Sequence, residues 1–343
     1  MTPKKPITIR DVARRAGVSS GTVSRAMGGR PGVHEDTRRR ILAAVEELQF
    51  TPNPAARRLS TGKHLTVAVI VPFLTSPSVS ERLKGAVRAL SETPYDLVIH
   101  NVETPEERAC CFQRLPDRRQ ADGVLIISLS PRDDSEMMSL RRADVPIVLI
   151  DADHPDMGPL PRVVVDDVAG GRAVTEYLLA LGHRRIGFLG DSADGPFHFT
   201  SSRDRRMGCR FALEAEGLRL GAEYCAEGES SRAGARHLAR DMLARGPRPT
   251  AIVAASDMQA VGVLEAAREL GLRVPEQLSV IGYDDVEVAE IVGLTTMRQP
   301  LFRSGQRGIE LLLQALSGRE VEPVREVLPV ELVVRRTTAP PPA

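Results

Sequence analysis

The sequence predicts a small all-α head of three helices, followed by a larger α/β body of two doubly wound parallel-sheet lobes. Charge is the first reason, because residues 1–63 hold 13 of the 46 Lys and Arg but only 5 of the 45 Asp and Glu. Apolar side chains also recur at helical spacing within the first fifty residues. From residue 64 onward, short Val/Ile/Leu-rich runs alternate with helical stretches, which is the pattern of parallel sheets covered on both faces. The runs divide into two sets of predicted strands, and the run 162–166 begins the second set.

Composition sets the broad class. The chain has 343 residues, enough for two or three folded units, and 42% hydrophobic side chains can bury a sizeable core. It has no Trp and only 3% aromatic residues, so Leu, Val, Ile and Ala must fill that core. No run approaches the roughly 20 apolar residues of a membrane span, and the N-terminus has no apolar signal-peptide segment. We therefore expect a cytoplasmic protein.

The sequence lacks the motifs of enzymes and metal sites. Its four cysteines, Cys110, Cys111, Cys209 and Cys225, include no CxxC pair, so neither a zinc site nor a disulfide framework is predicted. It contains no HExxH and no phosphate-cradling glycine loop. We expect no cofactor, no metal and no catalytic residues, which disfavours a nucleotide-using α/β enzyme.

The head has the pattern of a helix-turn-helix followed by a third helix. Thr8 can cap a first helix with Asp11 at its third position, and Gly17 supplies the left-handed residue that ends it. Ser19 can cap a second helix. A third is expected over about 35–49, with Ile41, Leu42, Val45 and Leu48 on its buried stripe. In this motif the second helix enters the major groove of DNA.

The first turn of the second helix carries the side chains that would meet DNA. Ser20, Gly21 and Thr22 would face bases or phosphates. The cap residues Thr8 and Ser19 are assigned to the same DNA-binding set. Arg25, one turn further on, could reach a guanine edge or a phosphate. The alternative is that Ser19 and Thr22 only cap the helix and that Arg25 pairs with an acid. The positive charge of the head favours contact with a polyanion.

A conditional helix is predicted after the head. Asn53 can cap it, yet it can run only to about Ser60, which is too short to persist alone. Such a segment is a candidate for folding on binding. Ala56 is small enough to let two copies approach closely, and Arg58 is assigned to the same DNA-binding set. Leu59 could wedge between base steps in a minor groove, or it could pack against its own domain.

Both parts of the chain resemble one family, the lactose-repressor (LacI/GalR-type) family of bacterial transcription regulators. The resemblance rests on residues 8–27 (TIRDVARRAGVSSGTVSRAM), 52–63 (PNPAARRLSTGK), 163–190 and 278–285 (LSVIGYDD). It implies base-reading positions for Ser20, Gly21 and Arg25, and an intercalating hinge leucine at Leu59. His34 departs from the pattern, since the family usually has a helix-capping Ser there.

The resemblance also implies a periplasmic-binding-protein-like body and sets the expected domain bounds. The expected parts are a head over 1–50, a hinge over 51–63, an effector-binding and dimerisation domain over 64–336, and a disordered tail over 337–343. The expected lobes are 64–163 with 298–324, and 164–297 with 325–336.

The candidate effector site lies where strands end, because ligands of such sheets bind beyond the carboxyl ends of the strands. The candidate residues are Ser76, Ser78, Asp151, Arg205, Ser256, Asp284 and Gln299. Carboxylates, a guanidinium and amides together can bind a polyol. Asp257, Asp284 and Asp285 could instead be caps of helices or turns, and Arg203 could make a salt bridge.

Aromatic rings, which many sugar-responding members place around this pocket, are scarce here. Val79, Ser230 and Leu301 stand where a ring is common in the family. Phe197 and Phe199 could supply rings from another direction. A sugar remains the favoured effector despite the missing rings, with other small metabolites left open.

These patterns together predict a ligand-responsive, sequence-specific transcription regulator. We expect a repressor that binds a palindromic operator as a homodimer, with a tetramer as the alternative. A sugar-binding protein of a transporter would share the body, but it would need a secretion signal and has no use for the basic head.

Overall fold

A computed structural model describes the chain in two units, Met1–His64 and Leu65–Ala343. The described residues are 7–27, 31–50, 64–115, 117–153, 157–158, 160–192, 195–197, 199–322 and 325–342. The hinge candidates Asn53, Ala56, Arg58 and Leu59 lie outside them. No described helix is both long enough and apolar enough to cross a membrane.

The head contains the three predicted helices, α1 Ile9–Ala16, α2 Ser20–Met27 and α3 Glu35–Glu47. The Asp11 carboxylate accepts hydrogen bonds from the Thr8 N–H at 2.9 Å and from the Thr8 hydroxyl at 2.7 Å, which fixes the start of α1. Gly17 ends α1 with a φ of 65°, the left-handed conformation expected of it.

One residue from each helix anchors the core of the head, since Val12, Val23 and Ile41 are all completely buried. The prediction placed Leu42 on the buried stripe of α3, and this is wrong: Leu42 is 51% exposed. Ala44 is buried instead, because the stripe that faces α1 and α2 runs through Ile41 and Ala44.

The body contains two six-stranded sheets. The first has the order β11-β5-β4-β3-β1-β2 and the second the order β12-β10-β9-β8-β6-β7. The strands of the first are β1 Thr66–Pro72, β2 Asp96–Val102, β3 Gly123–Ile127, β4 Ile147–Ile150, β5 Arg162–Val165 and β11 Arg325–Leu328. Those of the second are β6 Ile186–Asp191, β7 Cys225–Gly228, β8 Ala251–Ala254, β9 Ser279–Asp284, β10 Thr295–Arg298 and β12 Glu331–Val333. All pairings are parallel except that of β10 with β12.

Helices cover both faces of each sheet, so each lobe is doubly wound as predicted. The first lobe has α4 Pro77–Leu90, α5 Pro105–Gln113, α6 Asp134–Arg142 and α12 Leu301–Leu316. The second has α7 Asp167–Ala180, α8 Thr200–Ala215, α9 Arg232–Ala244, α10 Asp257–Glu269 and α11 Glu287–Val292. Each face has its own apolar core, with α4 and α12 on one face of the first sheet and α5 and α6 on the other.

The lobe boundaries differ from the prediction at both ends. The sequence pattern grouped 162–166 with the second set of strands, but β5 pairs with β4, so the first crossover follows Val165. The prediction also gave 325–336 to the second lobe, whereas β11 pairs with β5 in the first sheet. Asp153 fixes both strands, since its carboxylate binds Arg162 at 2.8 Å and Arg325 at 2.8 Å. The chain crosses a third time between β11 and β12.

The predicted disorder of 337–343 is also wrong for its described part, residues 337–342. The Ala339 carbonyl lies 2.8 Å from His183 Nε2 and accepts a hydrogen bond from the Ser279 hydroxyl at 3.0 Å. The Thr337 hydroxyl donates to the Val280 carbonyl at 2.7 Å. These bonds attach the tail to the second lobe, and they explain why His183 is buried.

Candidate functional site

The first turn of α2 presents the residues predicted to meet DNA. The Ser19 hydroxyl accepts the Thr22 N–H at 3.1 Å and lies 2.9 Å from the Thr22 hydroxyl, so the capping role of both residues is present. Gly21 and Arg25 are exposed and Ser20 is half-buried. Within the described part of the head, Arg25 makes no ion pair and only a 3.4 Å contact with the Gly21 carbonyl. Its guanidinium is therefore available to a ligand.

The body has a cleft of about 300 Å³ at the carboxyl ends of the strands. Of the seven predicted effector residues, six line it: Ser76, Ser78, Asp151, Arg205, Ser256 and Asp284. Gln299 does not line it. Its buried amide lies behind the wall and donates to Asp284 Oδ1 at 2.6 Å.

Arg82 is a buried cation at the floor of the cleft that the sequence prediction missed. Its side chain is 3% exposed and pairs with Asp151 at 3.1 Å. The Arg82 guanidinium also lies 3.4 Å from the Gln299 amide oxygen. Ser128 donates to the same carboxylate oxygen, with its hydroxyl 2.7 Å from Asp151 Oδ2. A polar chain therefore runs from Asp151 through Arg82 and Gln299 to Asp284, and it joins the two lobes.

Arg205 is the matching cation of the second lobe. Its Nε donates to Asp167 at 2.7 Å, and its Nη1 donates to the Ala255 carbonyl. The guanidinium carbon lies 3.7 Å from the centroid of the Tyr283 ring. Three different contacts thus fix one guanidinium at the wall of the cleft.

Glycines bring α7 and α8 close enough for this pairing. A Cβ on Gly171 would lie 2.1 Å from the Arg205 carbonyl oxygen, and one on Gly208 would lie 2.0 Å from the Val168 carbonyl oxygen. Both distances are far below van der Waals contact, so the two helices meet backbone to backbone.

Gly171→Ala should therefore separate α7 from α8 and destabilise the body by about 1–3 kcal/mol, the usual cost of overpacking. Chemical denaturation of the full chain measures this. Ala180→Ser is a suitable control, because it adds one atom at an exposed position of the same helix. Equal stabilities for the two variants would contradict the close packing.

Asp191 ends β6 and was also missed. Its Oδ1 accepts a hydrogen bond from the Gln259 amide at 2.9 Å, and the Ser230 hydroxyl binds it as well. Ser256 caps α10 by accepting the Gln259 N–H at 3.2 Å, which orients that amide. Asp191 follows the same strand-end rule that predicted Asp151, so the rule could have found it. Arg82 could have been found as a cation that lies on the apolar face of α4.

The alternatives left open for three residues are now decided. Asp257 is completely buried and accepts from the Thr296 hydroxyl and the Val286 N–H, so it braces the loop after β9. Asp285 pairs with Arg298 and Arg335, each at 2.7 Å. Arg203 pairs with its neighbour Asp204 at 2.8 Å, as the salt-bridge alternative expected.

Aromatic rings reach the cleft from both lobes. Phe73 and Phe199 line it, and Phe197 lies between them. The Phe197 centroid is 4.7 Å from that of Phe73 and 5.7 Å from that of Phe199, with Phe197 and Phe199 stacked. Phe197 also packs against the apolar core of the first lobe. The stack supplies the apolar surface that the usual ring positions lack.

Backbone strain is concentrated at the same edge. Phe73, Ser128 and Asp151 each follow a strand of the first sheet, and their φ angles are 48°, 55° and 55°. Asp284 and Asp285 at the end of β9 have φ angles of 119° and 58°. Side-chain-bearing residues adopt this region at a cost and cluster at functional sites when they do.

Buried acids make the stability of the body depend on pH. Burial raises the pKa of Asp167 to about 7, although Arg205 opposes the shift. Burial and the Asp284 charge raise the pKa of Asp257 to about 8. In the unfolded chain these carboxyl groups have a pKa near 3.8. Between pH 3.8 and the raised pKa values, the folded protein therefore holds more protons than the unfolded chain.

We therefore expect the free energy of unfolding to fall as pH rises from about 4 to about 8. Thermal denaturation at pH 5.5 and pH 8 measures this, with the higher melting temperature expected at pH 5.5. A melting temperature that is constant or rises across this range would contradict the burial of these carboxyl groups.

No group of three or more His, Cys, Asp or Glu within the described ranges could hold a metal ion.

Comparison with known proteins decides the family. Residues 8–53 match the lacI family of bacterial regulatory proteins, and residues 175–338 match the periplasmic binding protein-like domain. The HTH-type transcriptional repressor PurR of Vibrio campbellii is 32% identical over 333 residues, which cover 96% of this chain and 98% of the relative. The chain belongs to the LacI family. It is a helix-turn-helix DNA-binding transcription regulator with an effector-binding body rather than an enzyme.

Solved structures of LacI-family members agree with this fold. The lac repressor dimer bound to operator and the anti-inducer ONPF has a TM-score of 0.84 and 31% identity, covering 98% of this chain and 100% of that one. A complex of the regulator CelR with cellobiose has a TM-score of 0.72 and 32% identity, covering 96% and 99%. The likeness extends over both units of the present regulator.

Proposed function

We propose that this LacI-family regulator is a repressor whose dimer binds a palindromic operator, with an affinity set by a sugar-like effector in the interlobe cleft. The observation that carries the proposal is the cleft itself. Its walls come from both lobes, and charged, hydroxyl and aromatic side chains converge on it at the strand ends. A ligand there contacts both lobes and so favours one of their arrangements.

Exposed apolar side chains support a dimer. Strand β2 is an edge of its sheet, and Val98 and Ile99 on it are 44% and 40% exposed. Val87 on the neighbouring helix α4 is 55% exposed. An apolar edge strand of this kind is a site for association unless it is covered. A second copy of the chain would cover it and would place two heads on the two halves of a palindrome.

A sugar-like effector is supported by the mixture of groups in the cleft. Serine hydroxyls and carboxylates can bind ligand hydroxyl groups, and Phe73 and Phe199 offer apolar ring faces. The CelR structure contains cellobiose, and that relative covers nearly the whole of this chain.

The DNA side of the proposal is tested with Arg25→Ala in the full chain. An operator is first selected from a pool of random duplexes, and its affinity is then measured by fluorescence anisotropy. We expect Arg25→Ala to weaken operator binding by about 10- to 100-fold and to relax sequence preference at the contacted position.

Arg14→Ala is the matched control, because it removes the same charge from an exposed side chain on α1. It should weaken specific and nonspecific binding by similar, smaller factors. If both variants behave alike, the assignment of α2 as the reading helix is wrong. If no palindrome is enriched, the proposed binding of a palindromic operator by a dimer is wrong.

A further inference from the structure

The charges that line the cleft are unequally compensated. Three guanidinium groups line it, and each already has a carboxylate partner. Arg82 pairs with Asp151 at 3.1 Å, Arg205 with Asp167 at 2.7 Å, and Arg232 with Glu265 at 2.6 Å. Every cation on the described walls of the cleft therefore already has a carboxylate partner.

Two carboxylates on the same walls have only neutral partners. Asp191 is bound by the Gln259 amide at 2.9 Å and by the Ser230 hydroxyl. Asp284 is bound by the Gln299 amide at 2.6 Å. Among the described residues, neither has a Lys, Arg or His within ion-pair distance. The cleft therefore carries an excess of negative charge at Asp191 and Asp284.

The neutral donors do not fully replace water at these carboxylates. Burial raises the pKa of Asp191 and raises that of Asp284 to about 6, although nearby arginines oppose both shifts. The first turns of α9 and α10 lie beside Asp191, and their dipoles favour its charged form, yet the net shift remains upward. A positive charge on the ligand would supply the missing compensation.

We propose that the effector carries a positively charged nitrogen on a polyhydroxylated frame, as an amino sugar does, and that Asp191 binds this nitrogen. This inference rests on the proposed function, since it specifies the ligand of the same cleft. Serine hydroxyls at 76, 78 and 256 would bind the frame, and Phe199 would contact its apolar face. A phosphate or carboxylate on the same frame would be repelled by Asp191 and Asp284.

The test uses the full chain and three matched sets of probes. Each set contains a neutral hexose, its 2-amino form and its 6-phosphate, built on glucose, galactose or mannose. Isothermal titration calorimetry at pH 7 gives each affinity. In at least one set we expect the amine to bind ten or more times more tightly than the neutral sugar, with no binding of the phosphate.

Asp191→Asn should remove the preference for the amine, so that the amine and the neutral sugar of a set bind with similar affinity. Asp241→Asn is the control, because it removes an exposed carboxylate from α9 in the same lobe. The proposal is overturned if no amine binds, if a neutral or phosphorylated probe binds as tightly as its amine, or if Asp191→Asn keeps the preference. A neutral sugar that binds and changes operator affinity would overturn this inference while leaving the proposed function intact.

Discussion

Arg205→Met should abolish the response to effector and destabilise the body by about 3–5 kcal/mol, the cost of removing one partner from a buried ion pair. The Arg205 side chain is only 6% exposed, and its loss would leave the Asp167 carboxylate buried without its cation. The Ala255 carbonyl and the face of Tyr283 would lose their partner as well. Chemical denaturation of the full chain measures the loss of stability.

The matched control is Arg203→Met, two residues earlier on α8. Arg203 is 39% exposed and pairs with Asp204, so its loss should cost less than about 1 kcal/mol. The double variant Arg205→Met/Asp167→Asn should regain part of the stability, because the buried charge is gone, but not the effector response. Full recovery of the response in the double variant would show that Arg205 does not contact the ligand.

Arg82→Met is the second change with a large expected effect. It breaks the polar chain between the lobes, since Arg82 links Asp151 to Gln299 and, through that amide, to Asp284. Asp151 would lose its ion-pair partner and keep the hydrogen bond from the Ser128 hydroxyl. We expect a loss of about 3–5 kcal/mol in stability and a weaker coupling between effector and operator binding.

A double-mutant cycle separates the pairwise effect from general damage. Arg82→Met and Asp151→Asn should be non-additive by about 0.5–3 kcal/mol, as groups in one network are. Arg88→Met, on the exposed side of α4, should cost little and should be additive with Asp151→Asn. Additive costs for Arg82 and Asp151 would mean that they do not interact.

The elements of the fold follow from local patterns, but the partners of the strands do not. Caps at Thr8 and Gly17 defined α1 because their chemistry is local. Strand β5 was correctly predicted as a strand and assigned to the wrong sheet, since a Val-rich run has the same appearance in either lobe. Its place is set by pairing with β4 and by the distant Arg325–Asp153 contact. The tail, likewise, is ordered by bonds to residues over 50 positions away.

The site shows the same division. Six of the seven predicted effector residues line the cleft because parallel strands end at one edge, which the sequence pattern already implies. Asp257 could not be separated from them by position alone, since its partners Thr296 and Val286 are brought to it by β10 and the loop after β9. Arg82 was missed because an arginine is rarely buried on a helix face unless it is paired. Its partner Asp151 follows a distant strand, so the pair cannot be recognised from local sequence.

The most direct test is the affinity of the full-length protein for its selected operator, measured while the best-binding small molecule is added. Ligand in the cleft should change the operator Kd by about 5- to 150-fold in the wild type and in Arg203→Met, but not in Arg205→Met. A ligand that binds the protein and leaves the operator Kd unchanged, or an unaltered response in Arg205→Met, would contradict a regulator controlled through this cleft.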